Sequence, residues 1–161
     1  MALITDAYRA LNAQHHELDK HFGIGGKKYL VRVEDILEKY ATKDVLDYGC
    51  GKGALREALP FVQCYDPAIP EFADLPKPAD IVVCRDVMEH VEGECIDEVL
   101  DHIKVLAKKA ALFLIVFRLS SDVLPDGRNA HISVHPMEWW RDKLQAINTS
   151  GLVPANLPKG R

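Results

Sequence analysis

Asp86, Glu89 and His90 fall at i, i+3 and i+4 in Arg85-Asp86-Val87-Met88-Glu89-His90, so a helix starting here would place all three side chains on one face. Two carboxylates and an imidazole can hold a divalent ion, and an imidazole alone can take a proton from a hydroxyl. His131, in Asn129-Ala130-His131-Ile132-Ser133, is a second candidate base. The other chemical feature is Val45-Leu46-Asp47-Tyr48-Gly49-Cys50-Gly51-Lys52-Gly53, an apolar run that ends on a carboxylate and breaks into three alternating glycines. A missing Cβ permits positive φ and lets a ligand lie against the backbone. The run therefore reads as a strand turning into a helix beneath a nucleoside, with Asp47 at the crevice where open α/β sheets bind ligands.

Two ligand classes use such a turn. Gly49-Cys50-Gly51-Lys52-Gly53-Ala54 fits the dinucleotide pattern G-x-G-x-x-A, with Asp66 as the acidic group for the ribose. On that reading, which implies an oxidoreductase, Asp47 would repel a pyrophosphate. S-adenosylmethionine has a sulfonium and an ammonium but no phosphate, so a carboxylate beside it is favourable. The turn is read as an S-adenosylmethionine site.

The elements that must position these groups follow from the rest of the chain. Its 161 residues suit one domain, with N-terminal helices and a lid over 1–41, a cofactor-binding core over 42–149 and a tail over 150–161. Composition is that of an ordinary globular protein, and a net charge of −4 argues against a surface that tracks long nucleic acid, while a short or terminal nucleotide stays open. Cys50, Cys64, Cys84 and Cys95 form no C-x-x-C pair, and the N-terminus has no signal-peptide pattern, so a reduced, cytoplasmic protein is expected. The longest apolar run, Ala110 to Phe117, is too short for a membrane helix, which needs about 20 residues, and reads as a buried strand.

After residue 43 strands and helices alternate, which predicts an α/β fold: a Rossmann-like, doubly wound, mostly parallel sheet. Helical periodicity over Lys28 to Tyr40 precedes a strand at Asp44 to Tyr48, a short helix at Ala54 to Leu59, and strands at Val62 to Asp66 and Asp80 to Cys84. A long helix carrying Val91 through Leu106 leads to a strand at Ala111 to Phe117, a loop over Ser120 to Ala130, and a last helix around Pro136 to Ile147. Between Asp66 and Asp80 only thirteen residues intervene, and Pro67, Pro70, Pro76 and Pro78 are among them. Proline cannot sustain a helix interior, so the crossover is shortened to a loop.

Over roughly residues 25 to 150 the chain resembles the class I S-adenosylmethionine-dependent methyltransferases. Val45 to Gly53 corresponds to their first motif, and Asp80 to Val91 resembles the strand and helix start under the transferred methyl. The resemblance implies that Asp47 and Gly49 hold the methionine part, that Gly51 packs against the adenosine and that Asp66 binds the ribose, with Tyr48 and Pro67 as further candidate cofactor contacts. Asp74 becomes a candidate reader of the adenine amino group, and Arg85 and Asp86 candidate cofactor contacts. The Asp-x-x-Glu-His cluster is similar to the Glu-x-x-Glu-His of the ubiquinone-biosynthesis O-methyltransferases and of the enzymes that 2′-O-methylate small-RNA 3′ ends. That likeness implies a divalent metal ion on Asp86, Glu89, His90 and His131, beside the metal-free alternative of His90 or His131 as base.

DNA-base amino-methyltransferases carry a Pro-Pro-aromatic group where this chain has Arg85-Asp86-Val87-Met88, which favours oxygen acceptors. The expected function is O-methylation of a polar small molecule, sugar or nucleotide. The alternatives are an RNA 3′-end 2′-O-methyltransferase-like enzyme and a non-catalytic adenosylmethionine-binding module. Gly23, Gly25 and Gly26 suggest a hinged lid, with Lys28 or Tyr29 reaching the methionine carboxylate, and Arg128 is a candidate for an anionic acceptor group. Of Trp139 and Trp140, one is expected in the core and one exposed beside it, and His135 is expected to open a helix.

Overall fold

The computed structural model describes residues 2–20, 29–146 and 152–154. Five strands form one sheet in the order β2-β1-β3-β4-β5, with β1 Val45–Tyr48, β2 Gln63–Tyr65, β3 Ala79–Arg85, β4 Ala107–Leu114 and β5 Leu152–Pro154. Every neighbouring pair is parallel. Alternation along the strands sends side chains to two faces, and each face has its own helices. Leu46, Val82, Cys84, Ala111 and Phe113 meet Val99, Leu100 and Ile103 of α4 (Ile96–Leu106) and Trp140 and Leu144 of α5 (Met137–Ala146). Val45, Ile81, Val83, Ala110 and Leu112 meet Val33, Ile36 and Leu37 of α2 (Leu30–Lys39) and Leu55 of α3 (Ala54–Ala58). The sheet is doubly wound because both faces of its strands are apolar.

Strand order reverses between β1 and β3, so their carboxyl ends splay apart and leave a crevice. The helix α1, Asp6–Leu18, lies over it and is fastened at both ends. Thr5 caps α1 by accepting from the Tyr8 N–H, and it donates through its own N–H and hydroxyl to the Glu92 carboxylate at 2.8 Å each. At the other end Lys52 Nζ donates to the Asp19 carbonyl at 2.7 Å.

Two expectations need correction. The segment read as a tail over 150–161 includes Leu152–Pro154, which adds a parallel strand to the β4 edge. The helix expected from Val91 starts at Ile96, after 3₁₀ turns at Met88–His90 and Gly93–Cys95. The cause is backbone: Asp86 has φ 52 and Glu92 is extended at ψ 137, and neither conformation propagates an α-helix. The proline-rich crossover holds only a 3₁₀ turn, Pro70–Phe72, as its composition requires.

Ile103 has no exposed surface and sits in the larger core cluster. Ile103→Ala should therefore lower the unfolding free energy in urea by about 2–5 kcal/mol. A loss under about 1 kcal/mol would mean that α4 does not pack on the sheet as described.

Candidate active site

A cavity of about 300 Å³ opens at the β1–β3 switch point. Gly49, Cys50 and Gly51 form its floor, Asp66, Pro67 and Ala68 one side, and Arg85, Asp86 and Val87 the other. Gly49 has φ 75, and a Cβ there would lie 2.4 Å from Val87 Cγ2, so both conformation and space demand glycine. Asp66 accepts from the Gly51 N–H and the Ala68 N–H, each at 3.0 Å. Burial pushes its carboxyl up, and those two amides oppose the shift. Tyr48 lines the cavity, but its hydroxyl pairs with Nδ1 of His102, on α4, at 2.9 Å. Asp74 is exposed and outside the cavity wall.

Asp47 differs from its expected place at the crevice. It has no exposed surface and does not line the cavity; its Oδ2 accepts from Arg85 Nη2 at 3.0 Å. Burial pushes its carboxyl up more than Arg85 pulls it down. The side chain that reaches the cavity is Arg85.

The histidine and carboxylate cluster is also rearranged. Because Met88–His90 is a 3₁₀ turn, Glu89 turns into the core while His90 reaches the cavity. Glu89 Oε1 accepts from the Val116 N–H at 3.1 Å, and Oε2 is buried with no hydrogen-bond partner. Ligand atoms of Glu89, His90 and His131 lie within 4.8 Å of one another. Asp86 is not in that group: it faces the cavity, 3.5 Å from the Tyr29 hydroxyl. The expected four-residue ligand set is thus reduced to three.

Each imidazole has a fixed tautomer. His90 Nδ1 is 2.8 Å from the Ala130 carbonyl and His131 Nδ1 is 2.6 Å from the Arg118 carbonyl, and a carbonyl can only accept, so each Nδ1 carries hydrogen, which in a neutral ring leaves the lone pair on Nε2. Metal-binding histidines are commonly oriented this way, and the same bond prepares a base. Burial, then the neighbouring His131, lowers His90 to about 4, so it is neutral at pH 7 rather than poised near neutrality. Burial raises Glu89 to about 8.

Other sequence candidates lie elsewhere. Trp140 is buried in the core, and Trp139 stacks on His135 with ring centroids 3.8 Å apart; neither lines the cavity. Arg128 Nε donates to Asp126 Oδ2 at 2.7 Å, and its guanidinium lies 5.6 Å from the ring centroid of Tyr8, behind the cavity wall and not in it. Gly23, Gly25, Gly26 and Lys28, on which the lid rested, fall outside the described residues.

Sequence reading missed α1 as a cavity wall. Tyr8, Asn12 and His16 stand at i, i+4 and i+8, are all buried and all line the cavity. A buried polar stripe is the reverse of the usual amphipathic pattern. The signal was in the spacing of these three residues behind a threonine cap. Glu92 and Asp122 also line the cavity and were missed.

A parallel sheet with a glycine turn and an acidic residue at the end of the next strand, both at the switch point, is a Rossmann-like α/β architecture. The family model described as a methyltransferase domain matches residues 26–150, and the chain belongs to that family. It is a class I S-adenosylmethionine-dependent methyltransferase. No curated protein and no solved structure matches the chain. No helix among the described residues is long and apolar enough to cross a membrane.

The two displaced titrations give a pH signature. Between pH 6.5 and 8 the folded chain keeps a proton on Glu89 that the unfolded chain, with an ordinary value of 4.5, has lost, so stability falls as pH rises. Between pH 4.5 and 6.5 the unfolded chain alone takes up a proton at the histidine, which offsets the Glu89 effect. Metal-free protein should therefore lose up to about 1.4 kcal/mol per pH unit from pH 6.5 to 8. Glu89→Gln should flatten that limb in thermal melts; an unchanged slope would contradict the burial of a half-satisfied carboxyl here.

Proposed function

We propose that this methyltransferase transfers a methyl to an oxygen of a small, polar, phosphate-free acceptor. The observation that carries the reading is the charge of the cavity wall around His90: Asp66, Asp86, Glu92 and Asp122 stand against one arginine, Arg85, among the described residues. Carboxylates favour a sulfonium and disfavour phosphate groups. For the same reason an RNA 3′ end is the less favoured acceptor, although Glu89, His90 and His131, three of the four residues that the resemblance to such enzymes names, lie together.

The residues fit the cofactor. The Gly49–Gly53 turn gives a floor without side chains, and Asp66, facing the cavity beside Pro67, has lone pairs for ribose hydroxyls. When bound, S-adenosylmethionine supplies an electrophilic methyl. The protein's own work is to align the acceptor oxygen with it, exclude water beneath α1, and take the hydroxyl proton at His90 Nε2. A neutral imidazole accepts without first having to lose a proton.

A divalent ion also fits. Glu89 Oε2 lacks a partner, and His90 and His131 both present Nε2, a mixed donor set suited to Zn²⁺, Mn²⁺ or Co²⁺. Such an ion would lower the pKa of the acceptor hydroxyl.

Calorimetry should show adenosylmethionine and adenosylhomocysteine binding in the micromolar range and no binding of NAD. Asp66→Ala should weaken both adenosyl ligands by about 1–3 kcal/mol. Equal binding of NAD would overturn the cofactor site, and methyl-labelled products confined to phosphorylated acceptors in cell extracts would overturn the acceptor class.

Chelation separates metal from base. With an ion at Glu89, His90 and His131, chelation should remove turnover while leaving adenosylhomocysteine affinity within about twofold, and Glu89→Ala should mimic it. Full activity in chelator, with no ion in the purified protein, would leave His90 as the base alone.

A further inference from the structure

Arg85 is the last residue of β3, one step past the Tyr48–Cys84 pair, so it stands beside the carboxyl end of β1. It is the one lysine or arginine among the described residues that line the cavity. Only 6% of it is exposed. Its Nη2 is held from below by Asp47, and its Nε is buried with no hydrogen-bond partner. A guanidinium has five N–H donors in a planar fork that matches a carboxylate. One is spent on Asp47, and a buried donor left over is a place for a ligand atom.

The next residue has the opposite charge and faces the same cavity. Asp86 enters the left-handed region at φ 52, and its carboxylate lines the wall beside Arg85. Adjacent positive and negative groups at a switch point fit a zwitterion, and the amino-acid end of adenosylmethionine is one. Among the described lining residues, an entering carboxylate would otherwise face Asp66, Asp86, Glu92 and Asp122 with no lysine or arginine to offset them. Of the two sequence-based candidates for this contact, Lys28 lies outside the described residues and Tyr29 has its hydroxyl turned toward Asp86.

We propose that Arg85 binds the α-carboxylate of the cofactor's methionine end, with Asp86 facing its ammonium, and that Asp47 is a positioning residue that holds Arg85 from beneath. This rests on the cavity being the adenosylmethionine site. It moves the acidic residue of the glycine motif from a ligand contact to a support for one. A plain structural ion pair would make the same contact between Asp47 and Arg85 but would give no preference between ligands with and without a carboxylate.

The test is calorimetry on the full chain with three probes: adenosylhomocysteine, its decarboxylated analogue, and 5′-methylthioadenosine, which lacks the amino-acid end. The unaltered protein should bind adenosylhomocysteine about ten- to a hundredfold more tightly than the decarboxylated analogue, the range of a hydrogen bond to a charged group. In Arg85→Met that ratio should collapse to within about threefold while methylthioadenosine affinity holds, and Asp47→Asn should give an intermediate ratio. Removing one partner leaves a buried charge, so the double variant Asp47→Leu/Arg85→Met, which removes both, serves if the single one does not fold. Equal binding of adenosylhomocysteine and its decarboxylated analogue by the unaltered protein would overturn the proposal without any variant, as would a ratio preserved in Arg85→Met. Failure of all three probes to bind would instead overturn the cofactor site beneath it.

Discussion

A carboxylate with no exposed surface lies beneath the glycine turn, and the guanidinium of the neighbouring strand makes that burial tolerable. Removing one partner of such a pair leaves a bare charge in the interior, a loss of about 3–5 kcal/mol, so Asp47 and Arg85 fix β1 and β3 to each other where the strand order reverses. The rest of the site hangs from that point. Gly49 leaves β1 with a positive φ against Val87, Asp86 leaves β3 with a positive φ into the cavity, and between them the backbone opens just enough to admit a ligand.

Above this floor, α1 turns a crevice into a cavity. Its stripe of Tyr8, Asn12 and His16 lines the cavity, and Tyr8 also anchors the helix by packing against Leu124 and Ala130. The Thr5–Glu92 and Lys52–Asp19 contacts hold the helix to the two loops that also line the site. The segments that fasten α1 are therefore the same ones that line the cavity.

Much of this was legible in the sequence, for identifiable reasons. Two-sided apolar strands such as Ile81 to Cys84 and the alternation of strands with helices specified a doubly wound parallel sheet, and the prolines between Asp66 and Asp80 specified the shortened crossover. Tyr48, Gly49, Gly51, Asp66, Pro67, Arg85, Asp86 and His90 do meet at one cavity. What the sequence hid was direction. Spacing places a side chain on an element but does not say what faces it, so Asp47 was aimed at the ligand when Arg85 stands between. Likewise i, i+3, i+4 implies one face only if the segment is α-helical, and the positive φ at Asp86 followed by a 3₁₀ turn sends Glu89 inward and leaves Asp86 outside the cluster. The strand at Leu152–Pro154 had only three residues of pattern to announce it.

The central claim is that the β1–β3 cavity is the cofactor site, and a crystal structure of the protein with adenosylhomocysteine tests it most directly. The account predicts the ribose hydroxyls on the Asp66 carboxylate, the adenosine over Gly51, and the homocysteine end over Gly49 beside Arg85. A ligand bound elsewhere, or one in this cavity with its ribose away from Asp66, would contradict it.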